Sequence, residues 1–263
     1  MDEQRLIAEA YRWQRRLGHR VIELPGCAIV ADPARPDLWD ANHADAVTAD
    51  SDAEIDAVLV AMDEHLAHSD WRVVHTDGFT PDRFGARLAH LGFAERPVVI
   101  QMLCERLASV EYAPVELVEI ADDAGWAALT GLVHADVAEG KRTGGLDLDD
   151  AFVDDMVAAY RAKAPSYRFN LALLDGRPVA YGAMALAPNG MGMIEDLFTL
   201  PSVRRRGIAS TMIAQFDAAL RADGCVGVFL GAVADEEAKS LYFTLGFRPA
   251  MLSRCWVRNV AAD

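Results

Sequence analysis

Apolar residues return every three or four positions in several stretches of the chain, the period of a helix with one buried face. Leu6, Ile7, Ala10, Trp13 and Leu17 form such a face over 2–17, which Gly18 closes. Ile55, Leu59, Met62 and Leu66 form another over 51–68, and 81–91 has the same character. Short runs of strand character lie at 21–24 and 27–30, split by the turn signal Pro25-Gly26, and at 42–47, 71–75 and 97–103. In the second half, 115–120 reads as a strand, and 122–137 and 149–162 as helices. The runs 168–174 and 178–186 flank Asp175-Gly176, whose positive backbone angles suit a tight hairpin. After the turn at Pro188-Asn189-Gly190 comes a strand with Ile194, Leu197 and Phe198. A helix follows in which Ile208, Met212, Phe216 and Leu220 recur every fourth residue until Asp223-Gly224 stops it. A strand at 226–230, a helix at 234–245 and a strand at 251–257 complete the order. The pattern predicts an α/β fold, a mixed sheet flanked by helices.

Leu91-Gly92-Phe93 reappears as Leu245-Gly246-Phe247, each time after a strand and a helix and before a strand-like run. This echo suggests two related folds in tandem, joined through 105–114 with Pro114 as punctuation. The expected domains are 1–110 and 111–263.

The chemistry concentrates between Ile194 and Ser210. The first amides of a helix have no partner inside it, and the macrodipole adds positive partial charge there. Gly207 and Ala209 carry little side chain, so a phosphate can come close to those amides. Arg204, Arg205 and Arg206 surround the same point, although a helix start ordinarily favours acids. An anionic ligand explains them better than a solvated basic surface does. Arg15-Arg16-Leu17-Gly18 has a superficially similar composition, but it closes a helix instead of opening one, and Arg20 stands where a small residue is required.

The spacing Arg204-x-x-Gly207-x-Ala209 after Pro201 resembles the acetyl-coenzyme A loop of the GNAT superfamily of N-acetyltransferases. Downstream, Ala238, Leu241, Tyr242, Gly246 and Phe247 fit that family's Asn-x-x-Ala-x-x-Leu-Tyr and Gly-Phe pattern, with Asp235 in place of the Asn. Together the two motifs cover about the last third of the chain. The resemblance implies two domains of that fold, 1–110 without the cofactor motif and 111–263 catalytic, because Tyr242 falls on Leu88 in the repeat and no such loop precedes Leu88. It implies acetyl-coenzyme A as co-substrate and direct acetyl transfer to an amine of a small molecule or peptide. Arg204, Arg205, Arg206, Gly207, Ile208, Ala209 and Ser210 would hold the diphosphate, and the backbone of Leu197, Phe198 and Thr199 the pantetheine arm. Thr199 stands where the family usually has Val. Asp235 would cap its helix or accept a hydrogen bond near the cofactor, but cannot donate one while ionised.

In the same reading Tyr242 is the acid that protonates the departing thiolate, set against a plain packing role in the stripe of Ala238, Leu241 and Leu245. Glu195 is the base that takes a proton from the ammonium. Asp196 is the weaker candidate, since adjacent strand residues point to opposite faces. The competing reading is a non-catalytic acyl-coenzyme A sensor or scaffold that keeps the cradle and does no chemistry.

Composition narrows the rest. With 52% hydrophobic residues a sizeable core is expected, and the net charge of -15 argues against a nucleic-acid surface. No run has signal-peptide or membrane-spanning character, and Cys27, Cys104, Cys225 and Cys255 show no paired spacing. Buried thiols in a cytoplasmic protein are expected. His65 and His68 lie one turn apart without a third ligand, so no metal is expected; His134 lies near the glycine-rich segment Glu139–Gly145, as either a pocket or a surface residue.

Overall fold

The computed structural model describes residues 2–139 and 149–261. Apart from Glu139, the expected glycine-rich loop with Lys141 and Arg142 lies outside the described residues. The elements in chain order are α1 (Glu3–Arg16), β1 (Arg20–Leu24), β2 (Cys27–Ala31), β3 (His43–Asp45), α2 (Asp52–His65), β4 (Trp71–Thr76), α3 (Asp82–His90), β5 (Ala94–Glu95), β6 (Val99–Cys104), β7 (Glu116–Glu119), α4 (Asp123–Ala138), α5 (Asp150–Lys163), β8 (Tyr167–Leu174), β9 (Arg177–Leu186), β10 (Met191–Thr199), α6 (Ile208–Ala222), β11 (Gly227–Val233), α7 (Ala238–Thr244) and β12 (Arg248–Asn259). None of the described helices is long and apolar enough to cross a membrane.

The chain packs as two compact units, and a single cut at 110/111 does not separate them. The first unit holds the residues up to Gln101 together with Ala232–Glu236 and those from Ala250 onward; the second holds Met102–Gly231 and Glu237–Pro249. The reason lies in β12, which pairs antiparallel with β4 from Arg254↔Thr76 to Asn259↔Trp71. A strand's partner so far away in sequence leaves no local signal.

In the first unit β1, β2 and β3 are antiparallel, and β3 runs parallel to β4 at Ala44↔Val74. Ile55, Val58, Met62 and Leu66 of the α2 region pack into a core with Ile29, Val74, Phe84 and Leu88, while Leu59 sits at its margin. Cys27 belongs to this core, and burial pushes its thiol up to about 11, as expected of an inert buried cysteine.

In the second unit β7 to β10 form an antiparallel meander and β10 runs parallel to β11. The β8–β9 hairpin turns at Asp175 and Gly176 with φ of 52° and 73°, the two positive angles that the sequence suggests. The four-residue stripe of α6, Ile208, Met212, Phe216 and Leu220, is almost wholly buried. Full burial of each such side chain contributes roughly 1.5–3 kcal/mol, which holds α6 on the sheet. Gly182 of β9 permits this close approach: a Cβ there would lie 2.8 Å from Leu197 and 3.1 Å from Phe216.

Each unit therefore contains a strand, a helix, a parallel strand and a second helix ending at Leu-Gly-Phe. The repeated tripeptide is a helix-ending device in both. After α3, Gly92 takes φ 80° and the Phe93 amide donates to Leu88 O at 3.1 Å. After α7, Gly246 takes φ 95° and the Phe247 amide donates to Tyr242 O at 3.0 Å.

Candidate active site

The site begins with a fault in β10. Its register with β9 pairs Glu195 with Ala183 and then Phe198 with Tyr181, so Asp196 and Leu197 together oppose Gly182. Asp196 carries the extra residue's strain at φ 55°. This bulge overturns the expectation of strict alternation at Glu195 and Asp196. Tyr181 faces α4, donating its hydroxyl to Asp136 at 2.6 Å, and register puts Glu195 on that same face. Asp196 accepts hydrogen bonds from Tyr160 of α5 at 2.9 Å and Tyr167 of β8 at 3.2 Å. Phe169 lies against both Trp126 of α4 and Tyr160 of α5, so the two helices cover one face and both carboxylates lie on it.

The parallel ladder between β10 and β11 ends at Ile194↔Leu230, whereas β10 continues to Thr199. Past Ile194, that edge of β10 has no partner in the ladder. Such an edge offers backbone N–H and C=O groups to an extended ligand arm. The side chains of Leu197 and Phe198 are spent on packing, Leu197 toward α6 and Phe198 against Tyr181 with ring centroids 5.7 Å apart. Only their backbone is available.

After β10 the chain makes a single turn of 3-10 helix at Pro201–Val203 and enters α6 through two left-handed residues, Arg205 at φ 62° and Gly207 at φ 78°. Gly207 is the N-cap, no side chain caps the helix, and its first turn holds no acid. A Cβ on Gly207 would come no closer than 3.8 Å to any neighbour, so backbone conformation, not crowding, calls for glycine here. Gly207 is exposed and Ala209 and Ser210 half-exposed, while the Ile208 side chain is buried, leaving its amide to the loop. Arg205 and Arg206 are both exposed and make no ion pair among the described residues.

Arg204 behaves differently from its two neighbours. Its Nε donates to the Thr199 carbonyl at 2.8 Å, its terminal nitrogen meets Glu139 Oε2 at 2.5 Å, and its guanidinium lies 5.7 Å from the Phe198 ring centre. The expected diphosphate ligand is thus turned back onto the strand and onto α4. The pairing with Glu139 is invisible in the motif, whose spacing specifies the loop and not the direction of a long side chain.

Tyr242 sits on α7, buried, with its ring 6.2 Å from that of Phe247. Asp235 does not cap α7: the N-cap is Glu237, without a side-chain hydrogen bond. It lies in the first unit, beside an open groove of about 550 Å³ lined also by Glu95, Arg96, Pro97, Val98 and Arg254. His134 is a surface residue paired with Asp150 at 3.5 Å, and His68 bonds Asn42 at 2.7 Å. No cluster of metal-ligating side chains occurs among the described residues. Tyr160 and Tyr167, the partners of Asp196, carry no motif signal; only the folded sheet brings them to it.

This loop and the sheet that carries it have counterparts among known proteins. Residues 139–247 match the model of the acetyltransferase (GNAT) family. A GCN5-related N-acetyltransferase from Kribbella flavida has the same fold, with a TM-score of 0.70 at 18% identity over 98% of this chain and 96% of that one. A functionally unknown conserved protein from Staphylococcus epidermidis gives 0.69 at 14% identity, over 92% and 94%. A tandem GNAT protein from the clavulanic acid biosynthesis pathway gives 0.57 at 13% identity, over 83% and 75%. No curated protein matches the sequence.

Proposed function

We propose that the chain transfers an acetyl group from acetyl-coenzyme A to a primary amine of a small molecule or peptide. The observation that carries this reading is the uncapped start of α6: an N-cap glycine at positive φ, no acid in the first turn, and Arg205 and Arg206 beside it. The free amides of that turn and the two arginines take the diphosphate. The open edge of β10 from Leu197 to Thr199 takes the pantetheine arm as an added strand.

The chemistry is direct attack. Glu195, on the face covered by α4 and α5, removes a proton from the substrate ammonium. The amine nitrogen then bonds to the thioester carbonyl carbon, the carbon–sulfur bond breaks, the thiolate leaves with a proton from Tyr242, and the surplus proton on the new amide nitrogen restores the tyrosine. The first unit repeats the strand–helix–strand order without the cradle, and we read it as a degenerate relative of the second, in a tandem that functions in the cytoplasm.

Calorimetric titration of acetyl-coenzyme A tests the reading, with thiol release measured over a panel of a diamine, a lysine-containing peptide and an aminoglycoside. Saturable binding together with amine-dependent thiol release is the expected result. Binding without release for any amine favours the acyl-coenzyme A sensor, and no binding sinks both.

A further inference from the structure

The sequence places Arg204 among the phosphate ligands; the geometry points to another task. We propose that Arg204 is a positioning residue for the acceptor side, tying the end of α4 to the end of β10 through Glu139, and that Arg205 and Arg206 alone supply side-chain charge to the diphosphate. This rests on the acetyltransferase reading above and assigns a role within it.

Three observations support the tie. First, the guanidinium is already occupied on two sides, by the Thr199 carbonyl at 2.8 Å and the Glu139 carboxylate at 2.5 Å. A charge-assisted pair of this kind is directional and neutralises the cation, so a diphosphate would have to compete with a carboxylate for it. Second, Glu139 directly follows α4 as its C-cap and its amide donates to Asp136 O at 3.2 Å, so the carboxylate is held by the helix and not by a free chain. Third, Asp136 in the same turn accepts the Tyr181 hydroxyl at 2.6 Å, and Phe198 packs between Tyr181 and Arg204. The last turn of α4 is therefore fastened twice, to β9 through Asp136 and to β10 through Glu139 and Arg204. Both ties lie on the face of the sheet that carries Glu195. Releasing one moves the wall opposite the proposed base while the start of α6 stays as it is.

The test compares Arg204→Ala, Glu139→Gln and the double variant, with Arg204→Lys as a milder change that keeps the charge but loses the planar fork. Three quantities are read: coenzyme A affinity at low and high salt, hydrogen exchange over 132–139, and KM against kcat for the panel amine turned over fastest. We expect coenzyme A affinity to stay within about twofold in each variant, with unchanged salt dependence. Exchange over 132–139 rises alike in Arg204→Ala and Glu139→Gln, and the amine KM rises about 5–10-fold with a smaller change in kcat. The double variant is no worse than the worse single one, the mark of two residues acting through one contact. Coenzyme A affinity lost more than about tenfold in Arg204→Ala but kept in Glu139→Gln, with a weaker salt dependence, overturns the assignment and makes Arg204 a phosphate ligand. Wild type that binds no coenzyme A fails the acetyltransferase reading itself, and the assignment with it, so the two failures are distinct.

Discussion

Two helices in this chain follow a strand that runs parallel to the next, and their first turns are built in opposite ways. At α2 the helix closes its own start: Ser51 Oγ accepts from the Glu54 amide at 3.3 Å, and the Glu54 carboxylate accepts from the Ser51 amide at 2.9 Å and the Asp50 amide at 3.2 Å. The amide and hydroxyl of Ser51, then the Asp50 amide, hold that carboxylate below its usual range. Asp52 adds a second acid to the turn. At α6 there is no cap and no acid, and the approach is a glycine preceded by arginines. The same backbone feature, unpaired amides with a positive field, is neutralised internally in the first unit and left without a cap or an acid in the second. Similar topology therefore does not imply similar function; the residues that finish the helix decide it.

The comparison breaks most visibly at Gly207. Gly207→Glu places a carboxylate where the diphosphate is proposed to sit and asks a side chain to adopt φ 78°. Loss of coenzyme A affinity by at least about 100-fold is expected from charge repulsion and blocked amides, with a stability cost of about 1 kcal/mol from the backbone. Retained affinity in a calorimetric titration would remove α6 from the site. Tyr242 comes next, because its counterpart in the repeat is Leu88, which is fully buried and has no hydroxyl. Tyr242→Phe is expected to lower kcat by about 100-fold with coenzyme A affinity unchanged, the lower end for removing a general acid. Equal kcat in steady-state assays would reduce Tyr242 to its packing against Phe247.

The first unit also differs in how it answers acid. Beneath α1, Asp45 is buried with Arg16 at 2.5 Å and His43 at 3.8 Å, and His75 is buried with its ring 4.8 Å from that of His43. Burial, then the charge of Arg15, holds His75 well below the usual histidine range. Burial alone would raise Asp45, but the contacts with His43 and Arg16 outweigh it and hold the carboxyl low. The signs agree. The unfolded chain takes up a proton at His75 below pH about 6.5 that the folded chain refuses, and one at Asp45 below pH about 4. Stability is complete above pH 6.5 and falls as pH is lowered, by at most about 1.4 kcal/mol per pH unit while one proton is involved. Thermal melts from pH 7 to 5 should show this fall, and His75→Asn should flatten it; an equally steep fall in the variant would place its origin elsewhere.

What the sequence makes legible follows from how local each feature is. The α6 stripe, the Asp175-Gly176 turn and the glycine at the head of α6 are each set within a few residues, and the structure shows them as read. The bulge at Asp196 is not legible, because nothing marks which strand residue lacks an opposite number until β9 is in register. The pairing of Arg204 with Glu139 and the packing of His75 on His43 beside Asp45 depend on contacts far apart along the chain. So does β12, whose strand character is evident but whose partner β4 is not. Arg15-Arg16-Leu17-Gly18 shows the reverse: its position at the end of a helix, readable from the pattern, is enough to deny it the phosphate role, and Arg16 is spent on Asp45 and Glu23.

The smallest expected effect tests the quiet side of the comparison. Ser51→Ala removes the cap on the Glu54 amide and the hydroxyl's own bond to the Glu54 carboxylate, but leaves that carboxylate on the amides of Ser51 and Asp50. The loss should be about 1 kcal/mol, a fall in melting temperature of about 2–4 °C for a chain of this size. Coenzyme A affinity and a stoichiometry of one per chain should not change, because the uncapped helix still begins among Asp50, Asp52 and Glu54, which repel a diphosphate. A second coenzyme A bound per chain, in wild type or in this variant, would show that an acid-capped helix start can serve as well as an arginine-lined one. The contrast between α2 and α6 would then not be what separates the two units.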